Sequence, residues 1–194
     1  VLRIHGYDNI PVVSMERESS VAHPAFDPGQ RRGARVRRAL ASRGLVEAVT
    51  FSFMPRGRTG AFGGVADELV LTNPISADLD AMRPSILPNL LDAVERNQAR
   101  GIDDAALFEL GPQYSDDTPT GQALAAAGVR CGATFPRHWS AEARPVDAYD
   151  AKSDALAALA AAGAPVANLR IAREAPGWYH PGRSGVLALG PKPL

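Results

Sequence analysis

The chain has 194 residues, is 45% hydrophobic and 22% charged, and sets 21 basic against 21 acidic side chains, so its formal net charge is zero. That length suits one domain with a substantial core, and neutrality argues against a nucleic-acid grip spread over the whole surface. Cys131 is the only cysteine, which excludes an internal disulfide and a thiolate metal cluster and suits a reducing compartment.

In chain order, residues 1–11 read as the tail of a preceding domain and 12–26 as an irregular connector. Asp27 is a good N-cap with Pro28 at the first helical position, so a helix is expected from Pro28 to about Arg43, ended by Gly44. Its apolar stripe is Val36, Ala39 and Leu40, and Arg31, Arg35 and Arg38 share the opposite side. Val49, Phe51 and Phe53 alternate with Ala48, Thr50 and Ser52, the period of a half-buried strand. The run Pro55–Gly64 reads as a loop, and a strand is expected over 69–72, ended by Asn73-Pro74. Ile86, Leu90, Leu91 and Val94 recur at helical spacing, giving a helix over 86–100 with Pro88 in its first turn and Gly101 as its stop.

A buried strand over 105–110 follows and is expected to stop at Gly111-Pro112. Residues 123–134 read as a hairpin or two short strands, and 146–149 as another strand. An alanine-rich helix after Lys152 carries Leu156 and Leu159 and ends at Gly163. Broken by Gly163 and Pro165, the stretch 155–169 is too short and too weakly apolar to span a bilayer. Strands near 166–172 and 185–189 complete the count. Strands come in groups rather than in strict alternation with helices, which favours an α+β fold: an antiparallel-dominated sheet flanked by helices, packed on one side. The chain starts in mid-phrase on Val1 and stops just after an apolar strand, so it reads as a piece of a longer polypeptide.

The search for chemistry is mostly eliminative. His5, His23, His138 and His180 are widely spaced with no metal-ligand pattern. No Gly-x-Gly pair occurs, so neither a dinucleotide fingerprint nor a phosphate loop can be written. His180 and Ser184 lack the elbow and orienting group a serine nucleophile needs; His180 and Arg183 read as residues that fix a turn. Arg31, Arg35 and Arg38, at i, i+4 and i+7, put three guanidinium groups on one helix face, suited to solvent, a partner's carboxylates or RNA phosphate. Glu109, in Leu107-Phe108-Glu109-Leu110, either points to solvent or is buried against an arginine, with Arg83 as the candidate.

Five blocks in order carry a resemblance: RIHGYDNIP (3–11), ALASRGLVEAVTFSF (39–53), NPISADLDAMRPSILPNLLDAVERNQARGIDDAALFELG (73–111), VDAYDAKSD (146–154) and WYHPGRSG (178–185). Together they resemble the beta chains of bacterial phenylalanine–tRNA ligase, in the region of the synthetase-like core. The resemblance implies a class II aminoacyl-tRNA synthetase-like fold in a catalytically degenerate copy, with 1–11 closing a preceding small domain and 12–194 forming a core truncated at its C-terminus. It implies no catalytic, cofactor or metal residue here, since Gly111-Pro112-Gln113-Tyr114 follows the 107–110 strand with no arginine to hold ATP.

ATP and magnesium would belong to the holoenzyme. The implied partners are an alpha subunit, a second beta subunit in a tetramer of two alpha and two beta chains, and tRNA(Phe), in the cytoplasm and with no membrane. The implied role is architectural: a non-catalytic core supporting assembly for the charging of tRNA(Phe) with phenylalanine. Candidate interface residues are Arg31, Arg35, Val36, Arg38, Leu40, Leu90, Leu91 and Val94; His180 and Arg183 form a candidate structural turn. The alternative is an RNA-binding module using the arginine face of helix 28–43.

Overall fold

Residues 1–14, 24–136 and 138–193 are described by a computed structural model. His23 and residues 15–23 of the expected connector lie outside them. In chain order the elements are α1 (Leu2–His5), α2 (Pro28–Ser42), β1 (Val46–Glu47), β2 (Phe53–Met54), α3 (Arg56–Thr59), β3 (Ala81–Met82), α4 (Leu87–Gln98), β4 (Ala105–Tyr114), β5 (Gln122–Cys131), α5 (Ala148–Ala162), β6 (Leu169–Ala172), β7 (Val186–Leu189) and β8 (Lys192–Pro193). Three small sheets result, ordered β1-β4-β5, β2-β3 and β6-β7-β8. Only β1 with β4 is parallel among the described pairings.

The β4–β5 ribbon is the spine, ten residues on each strand, from Ala105 opposite Cys131 to Tyr114 opposite Gln122. Residues 106, 108 and 110 of β4 point to one face. There Phe108 is buried with Val36, Leu40 and Leu45, and Ala106, Leu110, Ala158, Ala161 and Ala162 pack around them. The small residues explain how closely α2 and α5 approach. A side chain at Gly33 would meet the Leu110 Cδ2 atom at 3.1 Å, so that contact needs glycine or a shift of Leu110. On the opposite face the Gln113 side chain accepts the Ile86 N–H at 3.0 Å, which fixes the start of α4, and Ser85 Oγ accepts the Leu87 N–H. Ile86 and Leu90 are completely buried there, each contributing roughly 1.5–3 kcal/mol by removal from water. Helices therefore flank both faces of the ribbon, not one.

Several elements differ from the sequence expectations, each for a visible reason. The 105–110 strand runs on to Tyr114. The Pro112 carbonyl turns away from β5 to accept from Arg83 Nε at 2.9 Å, so the proline nitrogen faces the side where β1 no longer pairs and no ladder bond is lost. Residues 122–131 form one strand instead of a hairpin. Gly128 is no turn; it sits opposite Phe108.

The expected strand over 48–53 shrinks to Phe53–Met54: the chain leaves β4 after the Ala48 N–H bond to the Phe108 carbonyl and crosses to β3, where the Ser52 carbonyl accepts the Arg83 N–H. Pro55–Gly64 contains α3 and a 3₁₀ turn, held by the Arg56 N–H on Asp80 and by buried Thr59. Strand 69–72 is reduced to a single bridge between Val70 and Ala81. Residues 146–149 are a helix start, since Asp147 and Asp150 form a reciprocal capping box for α5.

The helix ends otherwise follow the sequence. Asp27 caps α2 by accepting the Gln30 N–H at 2.8 Å while Gln30 accepts the Asp27 N–H at 3.0 Å. Gly101 and Gly163 take positive φ just past α4 and α5.

The α5 cap generates a pH prediction. Arg144 grips Asp150 with both terminal nitrogens, at 2.8 and 2.7 Å. That guanidinium first, and the Asp147 N–H next, hold the Asp150 carboxyl down to about 2. A carboxyl depressed in the folded chain contributes stability that is complete above about pH 4 and is lost as the pH falls through the folded value. Carboxyl NMR titration is expected to find Asp150 near 2 and, in Arg144→Ala, to find it moved back up towards the ordinary aspartate range. An unmoved midpoint would remove Arg144 as the cause.

Candidate functional site

The most constrained polar group in the chain lies where β3, β4 and the 48–52 segment converge. Arg83 directly follows β3 and its side chain is 1% exposed; Glu109, in the middle of β4, is 4% exposed, and they meet at 2.8 Å. Thr50 closes the triangle, its hydroxyl donating to Glu109 Oε2 at 2.6 Å and accepting from Arg83 Nη1 at 2.8 Å. Arg83 Nε donates to the Pro112 carbonyl and Nη1 also reaches the Phe51 carbonyl at 3.4 Å. The sequence expectation of Glu109 buried against Arg83 matches this geometry. Gly111 makes room for it: a Cβ there would lie 2.5 Å from Arg83 Nη2 and 2.9 Å from Glu109 Oε1. A guanidinium so enclosed, with four bonds already made to protein groups, is not accessible to an incoming phosphate. No group of three or more potential metal-ligating side chains occurs among the described residues.

The residues expected at an interface divide sharply. Val36 and Leu40 are 5% and 4% exposed, and Leu90 and Val94 are 0% and 7%; all four are enclosed by the chain's own core. An apolar stripe on a helix satisfies its own sheet first, which spacing alone does not distinguish from a stripe facing a partner. Leu91 is exposed, as are Arg31, Arg35 and Arg38 along α2. None of those three arginines enters an ion pair among the described residues.

Exposed apolar surface lies instead at Val46, Val49 and Phe51, with Val49 90% and Phe51 70% exposed. Alternation grouped Val49 and Phe51 with Phe53 in a half-buried strand; Val49 and Phe51 are instead exposed and outside any strand, while Phe53 is partly buried in β2. Beside them opens a cleft of about 500 Å³ lined by Thr50, Phe53, Asn89, Asp92 and Arg96 among others. Asn89 Nδ2 donates to the Phe51 carbonyl at 3.2 Å, while its Oδ1 is buried with no hydrogen-bond partner among the described residues. Asp92 is held by Arg58 at 2.6 Å.

At 180–183 the structure is a turn, in which His180 Nδ1 accepts the Gly182 N–H at 3.0 Å and the His180 carbonyl accepts the Arg183 N–H at 3.1 Å. With Nδ1 so used, His180 is no free base for Ser184. Trp178 leans on Phe62, with ring centroids 6.0 Å apart, and against the positive-φ Gly63.

Comparison with known proteins agrees with this picture. Residues 10–194 match the family model described as the phenylalanyl tRNA synthetase beta chain CLM domain. The chain is 57% identical over 194 residues to the phenylalanine–tRNA ligase beta subunit of Paramagnetospirillum magneticum, covering 100% of this chain and 24% of that one. It is 55% identical over 190 residues to that of Rhodospirillum rubrum, covering 98% and again 24%. The chain thus spans about a quarter of the length of these curated relatives. Among solved structures, a pyrrolysyl tRNA synthetase of Desulfitobacterium hafniense superposes with a TM-score of 0.58 at 19% identity, over 84% of this chain and 53% of that one. A histidine–tRNA ligase subunit of Alicyclobacillus acidocaldarius gives 0.55 at 15% identity, over 84% and 46%. At such identities the likeness speaks for the fold, which is that of class II synthetases.

Glu109→Gln leaves a buried guanidinium without its counter-charge and is expected to cost on the order of 3–5 kcal/mol in urea unfolding. Replacing both partners, as in Arg83→Met with Glu109→Leu, is expected to cost well under the sum of the single changes. Additive costs would mean that the two groups do not act as a pair.

Proposed function

The chain belongs to the phenylalanyl tRNA synthetase beta chain CLM domain family, and from that membership we propose that it is a non-catalytic core of a phenylalanine–tRNA ligase. Its role is to support assembly with an alpha subunit in a cytoplasmic tetramer of two alpha and two beta chains that charges tRNA(Phe). On this reading residues 1–11 close a preceding small domain and 12–194 form the synthetase-like core. ATP and magnesium serve the holoenzyme. Among the described residues neither group finds a fit: Arg83 is buried and bonded to Glu109, Thr50 and two carbonyls, and no cluster of three or more potential metal ligands occurs. No catalytic step is therefore assigned to it.

The observation that carries the reading is the exposed edge at Val46, Val49 and Phe51 beside the Asn89 cleft. Two large apolar side chains in water next to a buried, undonated carbonyl oxygen make an incomplete surface. An alpha subunit that lays apolar side chains on Val49 and Phe51 would complete it. Obligate subunit contacts typically bury on the order of 2,000 Å² or more, so Arg31, Arg35, Arg38 and Leu91 are candidates for the rim of the same contact, where carboxylates would face the guanidinium groups.

The exposed arginine face of α2 also supports a second reading, direct contact with RNA phosphate. Each phosphate neutralised adds about 0.7–0.9 to the slope of log affinity against log salt, so charge reversal at Arg31, Arg35 and Arg38 is expected to lower tRNA affinity and flatten its salt slope only on this second reading; tRNA affinity left unchanged would dispose of it.

Mixing the full-length beta chain with its cognate alpha chain, read by light scattering, is expected to give the tetramer. The double change Val49→Asp with Phe51→Asp is expected to abolish it while leaving the beta chain folded by circular dichroism. Calorimetry is expected to find no ATP binding to the beta chain alone. Tight nucleotide binding, or assembly untouched by the double change, would refute the reading.

A further inference from the structure

Thr50 sits between the two exposed apolar side chains of the 46–51 edge and is turned the other way. Val49 and Phe51 are exposed, while Thr50 is half-buried. Its hydroxyl lies between the two charges of the buried pair, donating to Glu109 Oε2 at 2.6 Å and accepting from Arg83 Nη1 at 2.8 Å. The main chain of Phe51 is gripped as well. Its carbonyl accepts from Arg83 Nη1 at 3.4 Å and from Asn89 Nδ2 at 3.2 Å.

The stretch is tied by backbone bonds just before and just after it. The Ala48 N–H reaches the Phe108 carbonyl at 2.7 Å, and the Ser52 carbonyl accepts the Arg83 N–H at 2.9 Å. Residues 49–51 between those ties belong to no strand, so the ladder of a sheet does not set their orientation. The Thr50 hydroxyl and the Phe51 carbonyl do. The exposures run out, in, out, as side chains alternate along extended chain, and anchoring Thr50 inward commits both of its neighbours outward.

On the reading that the Val49–Phe51 edge meets an alpha subunit, we propose that Thr50 is a positioning residue for that contact. Its hydroxyl, clamped by Arg83 and Glu109, holds the two apolar side chains in the arrangement the partner meets. An edge fixed before encounter loses little freedom on binding, whereas a loose edge must be ordered each time. When only a fraction of free chains hold the competent arrangement, apparent affinity falls by that fraction. The hydroxyl is spent on the inward pair, so it acts through its neighbours and not by touching the partner. Its loss therefore shows in the rate of association. Serine carries the same hydroxyl and keeps the clamp; valine and alanine do not.

The test reads association and dissociation rates of the full-length beta chain on immobilised cognate alpha chain by surface plasmon resonance, with folding checked by circular dichroism and urea unfolding. Thr50→Val and Thr50→Ala remove the hydroxyl with and without its volume, so one carries the test where the other does not fold. Both are expected to associate about tenfold more slowly, the size of a buried hydrogen bond left unmade, with the dissociation rate nearly unchanged. Thr50→Ser is expected to restore the wild-type rate. Ala158→Gly loosens α5 at the Phe108 core; it is expected to lower the urea midpoint and leave association unchanged. Wild-type association without the hydroxyl, no rescue by serine, a loss confined to dissociation, or equal slowing in Ala158→Gly would each overturn the proposal. The double change Val49→Asp with Phe51→Asp separates the two levels. If it abolishes assembly while Thr50→Val and Thr50→Ala bind as wild type, the positioning role alone falls. If it leaves assembly intact, the reading of the edge falls and takes the positioning role with it.

Discussion

The buried contact between Arg83 and Glu109 constrains more of this chain than any other pair. Three segments distant in sequence meet at it: the 50–51 stretch through Thr50 and the Phe51 carbonyl, the end of β3 through Arg83, and β4 through Glu109 and the Pro112 carbonyl. Desolvating two charges is costly, and a pair of this kind adds little net stability compared with well-packed apolar side chains. What it supplies is geometry, because each nitrogen of the guanidinium accepts only a narrow set of partner positions. Gly111 is part of the same constraint, since the pair occupies the volume a side chain would need. The pair also decides what the sheet does not do. A cation spent on Glu109, Thr50 and two carbonyls is unavailable to any ligand.

A second arginine-built joint sits across the ribbon. Asp154 on α5, 8% exposed, receives Arg43 Nε at 2.6 Å and Arg130 Nε at 2.5 Å. Arg130 also donates to the Arg43 carbonyl at the end of α2, and Arg43 to Ser153. One carboxylate thereby joins α2, β5 and α5 at the margin of the Phe108 core. The alanines of α5 matter here for their size as much as for their helix propensity. Ala158, Ala161 and Ala162 let α2 come near enough for Arg43 to reach Asp154.

How much of this was legible depended on whether the deciding interaction was local. The α2 start was readable because Asp27, Pro28 and Gln30 carry the whole cap within four residues. The α5 start was equally local but was missed: Asp147 and Asp150 form the same box, and the apolar neighbours Val146 and Tyr149 drew the reading towards a strand. The continuation of β4 past Pro112 was not readable, since it depends on which edge of the ribbon lacks a neighbour. Facing was the weakest inference. Helical spacing identified Val36, Leu40, Leu90 and Val94 as one-sided without saying that their side meets this chain's own sheet. Alternation grouped Val49 with Phe51 without saying that they face water. The Arg83–Glu109 match succeeded because a carboxylate in an apolar strand has few ways to be stable, and one of them is a buried guanidinium.

The zero net charge conceals a sorted distribution, and the sorting bears on how such a chain meets others. All but two of its basic side chains are arginine, and two sets of the described ones stand out. Some, such as Arg43, Arg83 and Arg130, are consumed by internal carboxylates. Others, such as Arg31, Arg35 and Arg38, line one exposed helix face. A neutral molecule exerts little force beyond a Debye length of about 8 Å at physiological salt, so long-range steering contributes little to its encounters. On the proposed reading, recognition by this part of the protein then comes from short-range matching: apolar contact at Val49 and Phe51 and guanidinium groups along α2. Opposed local charges of this kind set orientation and reject wrong partners more than they add affinity. A scaffold that has turned Arg83, the one deeply buried cation among the described residues, inward keeps its specificity on the surface.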